Sequence, residues 1–237
     1  MSLVWDSVGT RTFESGIHKT VLFVADSSQT CGYGTGVAWS GVTSISETMD
    51  GGDASPIYAD NIKYLDIISN ENLKLGIEAY QYPEEFEACD GTATSAGVTM
   101  AQQSRKKFCL AYQTLIGNDT EGIEKGYKVH FVYGCLAAPT DRSYQTINDS
   151  PDAMSFSWDV STTPVTEDLM PAGFKPTAII TIDSSKLTQS AAGYLAALCD
   201  GGTVGSTTVQ GIFSDGKWYS PKQIVQIMGG TAPTNEE

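Results

Sequence analysis

The chain has 237 residues, enough for one large β domain or two small ones around a real core. Its 28 acids against 14 bases give a net charge of −14, spread evenly along both halves, which excludes holding nucleic acid by phosphate neutralisation. The acids are too dilute for the dense carboxylate rows of a DNA mimic, and no apolar run reaches the roughly 20 residues of a membrane span.

Glycine (24 residues) and a high Ser/Thr load point to β structure with many turns. The opening Met-Ser-Leu-Val-Trp-Asp has neither a basic nor an apolar signal region, so no secretion signal is expected. Five widely spaced cysteines, Cys31, Cys89, Cys109, Cys135 and Cys199, form no CxxC pair. They read as reduced, buried thiols of a protein folded in cytoplasm.

In chain order, the first strand signal is HKTVLFVA (18–25). LKLGI follows, with Leu73, Leu75 and Ile77 on one face and Lys74 and Glu78 on the other. YPEEFEACDG predicts a helix of one or two turns, with Pro83 first, Glu84 and Glu85 in the first turn and Gly91 past the end. KFCLAYQTLI places Phe108, Leu110 and Tyr112 together. YKVHFVYGC aligns Tyr127, Val129, Phe131, Tyr133 and Cys135. MSFSWDV aligns Met154, Phe156, Trp158 and Val160, and TAIITID (177–183) is a further strand. Leu187, Ala191, Tyr194 and Leu198 form a helical stripe ending at Gly201. SPKQIVQIMGG predicts a last helix with Ser220 as N-cap, Pro221 at the first position and Gly229 as stop. Residues 43–56, 90–103, 117–126, 139–152 and 162–175 read as long connections, and connections of that length in a compact domain are usually functional.

No catalytic set emerges. His18 and His130 both lie in strand-like runs, and with dispersed cysteines they make a zinc site improbable. GYGTG (32–36) is followed by strand, not helix, which speaks against a dinucleotide loop. Glu84, Glu85, Glu87 and Asp90 read as acids complementing a helix dipole before they read as an acid/base pair. Asp50, Asp53 and Asp60 offer oxygen ligands for calcium but lack the EF-hand spacing. Arg105, Lys106 and Lys107 form the one basic cluster, either a solvated strand entrance or a contact for a neighbouring subunit's carboxylates.

The phrases GVAWSGVTSI (36–45), IYADNIKYLD (57–66), GIEAYQYPEEFEACDG (76–91), RKKFCLAYQTLIGND (105–119), GYKVHFVYGCLA (126–137), YQTINDSPDAMSFSWDVSTTPV (144–165) and KPTAIITIDS (175–184) occur in this order. Together they resemble the major tail, or tail tube, proteins of long non-contractile-tailed phages and prophages of Gram-positive bacteria. The resemblance implies a mainly β, tail-tube-type sandwich with one or two short flanking helices. Its strands would join a β-barrel lumen in a homo-hexameric ring, and the rings would stack into a tube through which DNA passes during ejection.

On this reading residues 1–237 are one domain. It comprises a long inter-ring loop or hairpin at 43–60, a helical and strand part at 184–228 and a tail at 229–237. Partners implied are the tape measure, tail terminator and distal tail proteins, with no membrane, cofactor, metal or enzymatic activity. The place implied is the virion tail, assembled in the host bacterial cytoplasm. Asp66, Glu78 and Asp159 are candidate lumen acids, since a wall of like charge keeps DNA from sticking. Asp50, Asp53, Arg105, Lys106 and Lys107 are candidate inter-subunit contacts. The alternatives are a tail terminator or distal tail ring, and a carbohydrate-binding β-sandwich using Trp5, Trp39, Trp158 and Trp218 as sugar platforms.

Overall fold

A computed structural model of the chain describes residues 5–28, 32–139, 142, 144, 146, 153–231 and 233. Cys31, most of the expected connection at 139–152 and most of the tail at 229–237 lie outside the described residues. In chain order the strands begin with β1 (Thr12–Val24), β2 (Val37–Ala38), β3 (Val42–Asp50), β4 (Ala54–Ala59), β5 (Ile62–Ile68) and β6 (Asn72–Ala79). The short helix α1 (Glu87–Asp90) precedes β7 (Ala93–Ser95), β8 (Val98–Met100), β9 (Phe108–Asn118), β10 (Gly122–Ala137), β11 (Phe156–Ser161) and β12 (Ile179–Asp183). Then come α2 (Gln189–Asp200), β13 (Gly202–Val204), β14 (Thr207–Val209), α3 (Ile212–Asp215) and α4 (Pro221–Met228). The protein is mainly β, with a large antiparallel sheet in the order β2-β1-β9-β10-β11-β6-β3 and β12 also on β10. Among the described residues this sheet closes no barrel.

The long strand β10 belongs to both halves of the sheet. Its first part pairs with β9 and β12, and its last residues, Leu136 and Ala137, pair with Ser161 and Val160 of β11. The corner is at Gly134, whose φ of +61° belongs to the left-handed region. A Cβ there would meet the Thr163 carbonyl oxygen at 2.2 Å, so only glycine fits. The register shifts between Val132 and Cys135. This moves Cys135 off the face of Val129, Phe131 and Tyr133, with which the plain alternation aligned it, and onto the face of Val132.

Three layers result. On one face of β1, β9 and β10, Val21, Phe23, Cys109, Ala111, Val129, Phe131 and Tyr133 pack on Leu195 and Leu198 of α2, Ile212 of α3, and Ile224 and Ile227 of α4. On the other face, Leu22, Phe108, Leu110, Tyr112 and Val132 pack on Leu75 and Ile77 of β6 and Trp158 and Val160 of β11. Burial on both faces explains the nearly unbroken apolar run at the start of β9.

Phe86, fully buried, plugs the end of this second core. It sits 4.5 Å from Trp39, 5.1 Å from Trp158 and 5.4 Å from Phe108 between ring centroids. Asp90 accepts from Trp158 Nε1 at 3.0 Å and pairs with Arg142 at 2.5 Å, so its buried charge is satisfied. Burial raises the Cys89 and Cys199 thiols to about 12 and keeps them neutral.

The helices form where their end signals stand. Thr188 caps α2 and Gly201 ends it at φ +75°, while Ser220 and Gln223 build a capping box on α4, with Pro221 at its first position. Pro83 falls one place earlier than its expected position, as the cap of a 3-10 turn over Glu84–Phe86 that leads into α1. Residues 43–56 and 90–103, read from composition as connections, hold β3, the start of β4 and the β7–β8 hairpin.

Gly134→Ala is expected to lower the unfolding free energy in urea by at least about 1–3 kcal/mol from backbone strain, with the clash in addition. Gly173→Ala, at φ +88° but in open space, is the control that carries strain without a clash. Equal losses at the two sites would contradict a fixed corner in β10.

Candidate assembly interface

β3 and β6 pair from Val42↔Ala79 to Asp50↔Asn72. Beyond them the chain continues as a second hairpin, β4 on β5, from Ala54↔Ile68 to Ala59↔Ile62. Gly51 and Gly52 sit between the two parts at φ of 94° and 76°. A Cβ on Gly51 would meet the Asn70 carbonyl oxygen at 2.3 Å. The tip turns at Asp60 and Asn61, both in the left-handed region that a tight two-residue turn demands. At about 3.3 Å per residue, the six residues of β4 give the outer hairpin a length of about 20 Å.

Every residue of β4 and β5 is exposed. Ile57, Tyr58, Ile62, Tyr64, Leu65, Ile67 and Ile68 all stand in water, from 41% exposed at Ile57 to 70% at Tyr64. The pairs Ile57↔Leu65 and Ser55↔Ile67 lie side by side on one face, while Asp66 opposes Pro56 on the other. A lone two-stranded hairpin is marginal in water, and this one has no core beneath it. Seven of the exposed large hydrophobics among the described residues fall within these twelve positions, 57–68.

The outer face of β3, β6 and β11 has the opposite character. Its cross-strand ranks are Ser44–Glu78–Ser157, Ser46–Gly76–Asp159 and Thr48–Lys74–Ser161. Leu73, Leu75, Ile77, Trp158 and Val160 point the other way, into the core. Ser44 donates to Glu78 at 3.1 Å, and a Cβ on Gly76 would lie 2.6 Å from Ser46 Oγ. The result is a face of mostly small polar side chains that also carries Lys74 and two acids, Glu78 and Asp159. β3 ends the sheet with an unpaired edge among the described strands.

The structure brings together some of the expected residues and separates others. Glu78 and Asp159 share the polar face. Asp66 stands apart on the arm, 2.8 Å from Lys63. Asp50 is paired with Lys74 at 2.6 Å at the arm's root, and the Asp53 carbonyl accepts from Ser69 N. Arg105 is half-buried and donates to the Ala137 carbonyl at 2.8 Å, while Lys106 and Lys107 are exposed. Asp50, Asp53 and Asp60 are strung along the arm, and no metal-ligating cluster occurs among the described residues. Trp39, Trp158 and Trp218 are core side chains, which leaves only Trp5 of the four tryptophans exposed.

Sequence reasoning missed the apolar side chains of the arm. The signal was present: apolar runs flank an Asp-Asn turn at 57–68.

No protein-family model matches the chain, and no curated protein matches it. Among solved structures it is similar to a chain of the anti-feeding prophage baseplate, with 8% identity, 79% of this chain and 100% of that chain covered, and a TM-score of 0.32. It is also similar to a chain of the PVC sheath–tube complex of an extracellular contractile injection system in the extended state. There the identity is 12%, the coverage 76% and 94%, and the TM-score 0.30. Likenesses this slight carry no argument about the role of this chain.

Glu78→Gln combined with Asp159→Asn is expected to leave the thermal midpoint of the isolated chain unchanged, because both carboxylates stand outside the core. A clear drop in the midpoint would mean that the two acids serve the fold and not a surface.

Proposed function

We propose that the chain is a structural subunit of a phage tail, the tube protein whose copies close into hexameric rings and stack into a conduit for DNA. The arm carries the reading. A hairpin of apolar side chains with nothing beneath it is suited to lie on another copy, where covering each Ile or Leu is worth about 1.5–3 kcal/mol. The order of the phrases quoted from the sequence supplies the tail-tube context. The unpaired edge of β3 offers a ladder that a neighbouring copy can continue.

The polar face of β3, β6 and β11 lies on the side away from α2, α3 and α4, and we assign it to the bore. Small side chains keep such a wall smooth. Glu78 and Asp159 give it the sign of the phosphate backbone, since Lys74 on the same face is paired with Asp50, and counterions screen the repulsion within roughly 8–10 Å. Basic contacts repeated ring after ring would hold the duplex in place. The role assigned to the chain is structural and not enzymatic.

Electron microscopy of the concentrated pure protein tests the proposal, beside a variant in which residues 54–68 are replaced by a short Gly-Ser turn. Wild type is expected to form hollow tubes, and the variant to stay folded but unstacked. Isolated rings of wild type would point to a terminator or distal ring. Persistent monomers, or tubes from the variant, would overturn the role given to the arm.

A further inference from the structure

His130, on the central strand β10, has a side chain only 10% exposed and is engaged on both nitrogens. Nε2 lies 3.1 Å from Thr114 Oγ1 and 3.6 Å from Glu14 Oε1. Nδ1 lies 3.2 Å from Thr181 Oγ1 and 3.6 Å from Glu47 Oε1. The Tyr112 ring stacks on the imidazole at 4.7 Å and 6°, and its hydroxyl donates to Glu47. Glu14 accepts from Lys128 and Thr114. The titratable groups around the imidazole are therefore Glu14 from β1, Tyr112 from β9, Lys128 from β10 and Glu47 from β3, while β12 contributes the neutral Thr181. Glu47 ties β9 and β10 to β3 through Tyr112 and His130, three residues before that strand ends at Asp50 and the chain enters the arm.

We propose that this cluster is an acid-sensitive fastener at the root of the arm, closed while His130 is neutral and loosened when acid charges it. A neutral imidazole has one donor and one acceptor: Thr114, whose single O–H goes to Glu14, accepts from Nε2–H, and Nδ1 accepts from the Thr181 hydroxyl. Burial pushes the imidazole below its ordinary value, and the nearby Glu47 and Glu14 only partly offset this. Lifting β3 away would return the ring to water, where it takes a proton more readily. The closed state is therefore fully favoured above the ordinary histidine value and loses ground as pH falls toward the depressed one. Glu14 acts in the same direction at lower pH. Burial would raise it, but the hydrogen bonds from Lys128 and Thr114 outweigh burial and hold it low, so its contribution is lost as pH falls through that lowered value.

The fastener does not depend on tube formation, and a test on the monomer separates the two. Amide exchange protection of β3, corrected for the intrinsic rate, is measured between about pH 8 and about pH 5. It is expected to fall on acidification, up to about tenfold for each unit by which the imidazole is displaced, while β9 stays constant. His130→Phe keeps a stacked ring without the titration and is expected to flatten the response. Should that variant unfold, NMR titration of His130 decides, with the folded ring expected to titrate below its value in the urea-unfolded chain. An unchanged pH response in His130→Phe, or a folded value at or above the unfolded one, would overturn the proposal.

Discussion

A hairpin that carries seven large apolar side chains into water needs a surface to cover them. This constraint governs the outer part of the molecule. The body meets its own needs: the helices cover one side of the sheet, the folded-over β3, β6 and β11 cover the other, and Phe86 closes the end. The arm meets none of them. Its backbone ladder runs the length of the hairpin with one register shift between Ile57 and Tyr58, and its turn chemistry is sound, so it is built to hold its shape. The conflict between good local structure and absent burial is what motivates the proposal that another copy covers the arm.

Magnitudes say what kind of partner suffices. Covering Ile57, Leu65 and Ile67 is worth on the order of 5–9 kcal/mol. Association of two free bodies costs on the order of 4–15 kcal/mol, so one arm on one neighbour is a weak bond. Repeating the contact around a ring changes the balance, because each later arm docks at the high effective concentration set by the first. In the ring proposed above, weak arms would give assembly that depends on completing the ring. The charge of −14 opposes chance association of lone subunits in the same direction.

Much of the body was legible in the residues. Leu73, Leu75 and Ile77 alternate and are buried, and Gly201, Ser220 and Pro221 end their helices as their chemistry requires, whereas Leu187 of the expected stripe lies before α2, which starts after its Thr188 cap. The corner at Gly134 was not legible, because one bulge residue swaps the faces of everything after it and the pattern alone carries no mark of it. β3 was hidden for another reason. Its outer face is Ser44, Ser46 and Thr48, so its composition is that of a loop. Glu78 and Asp159 were visible as exposed strand acids, but their meeting on one face depends on the register between β6 and β11. Asp66 follows the same local pattern and lies elsewhere. The surroundings of His130 come from five strands and no local motif.

The arm's burial by another copy can be measured directly. Hydrogen–deuterium exchange of residues 54–68 should be fast in dilute protein and become protected as concentration drives association, while β9 is protected throughout. If the arm keeps exchanging fast in protein that has visibly assembled, it is not the contact that joins the copies, and its apolar side chains have some other purpose than holding subunits together.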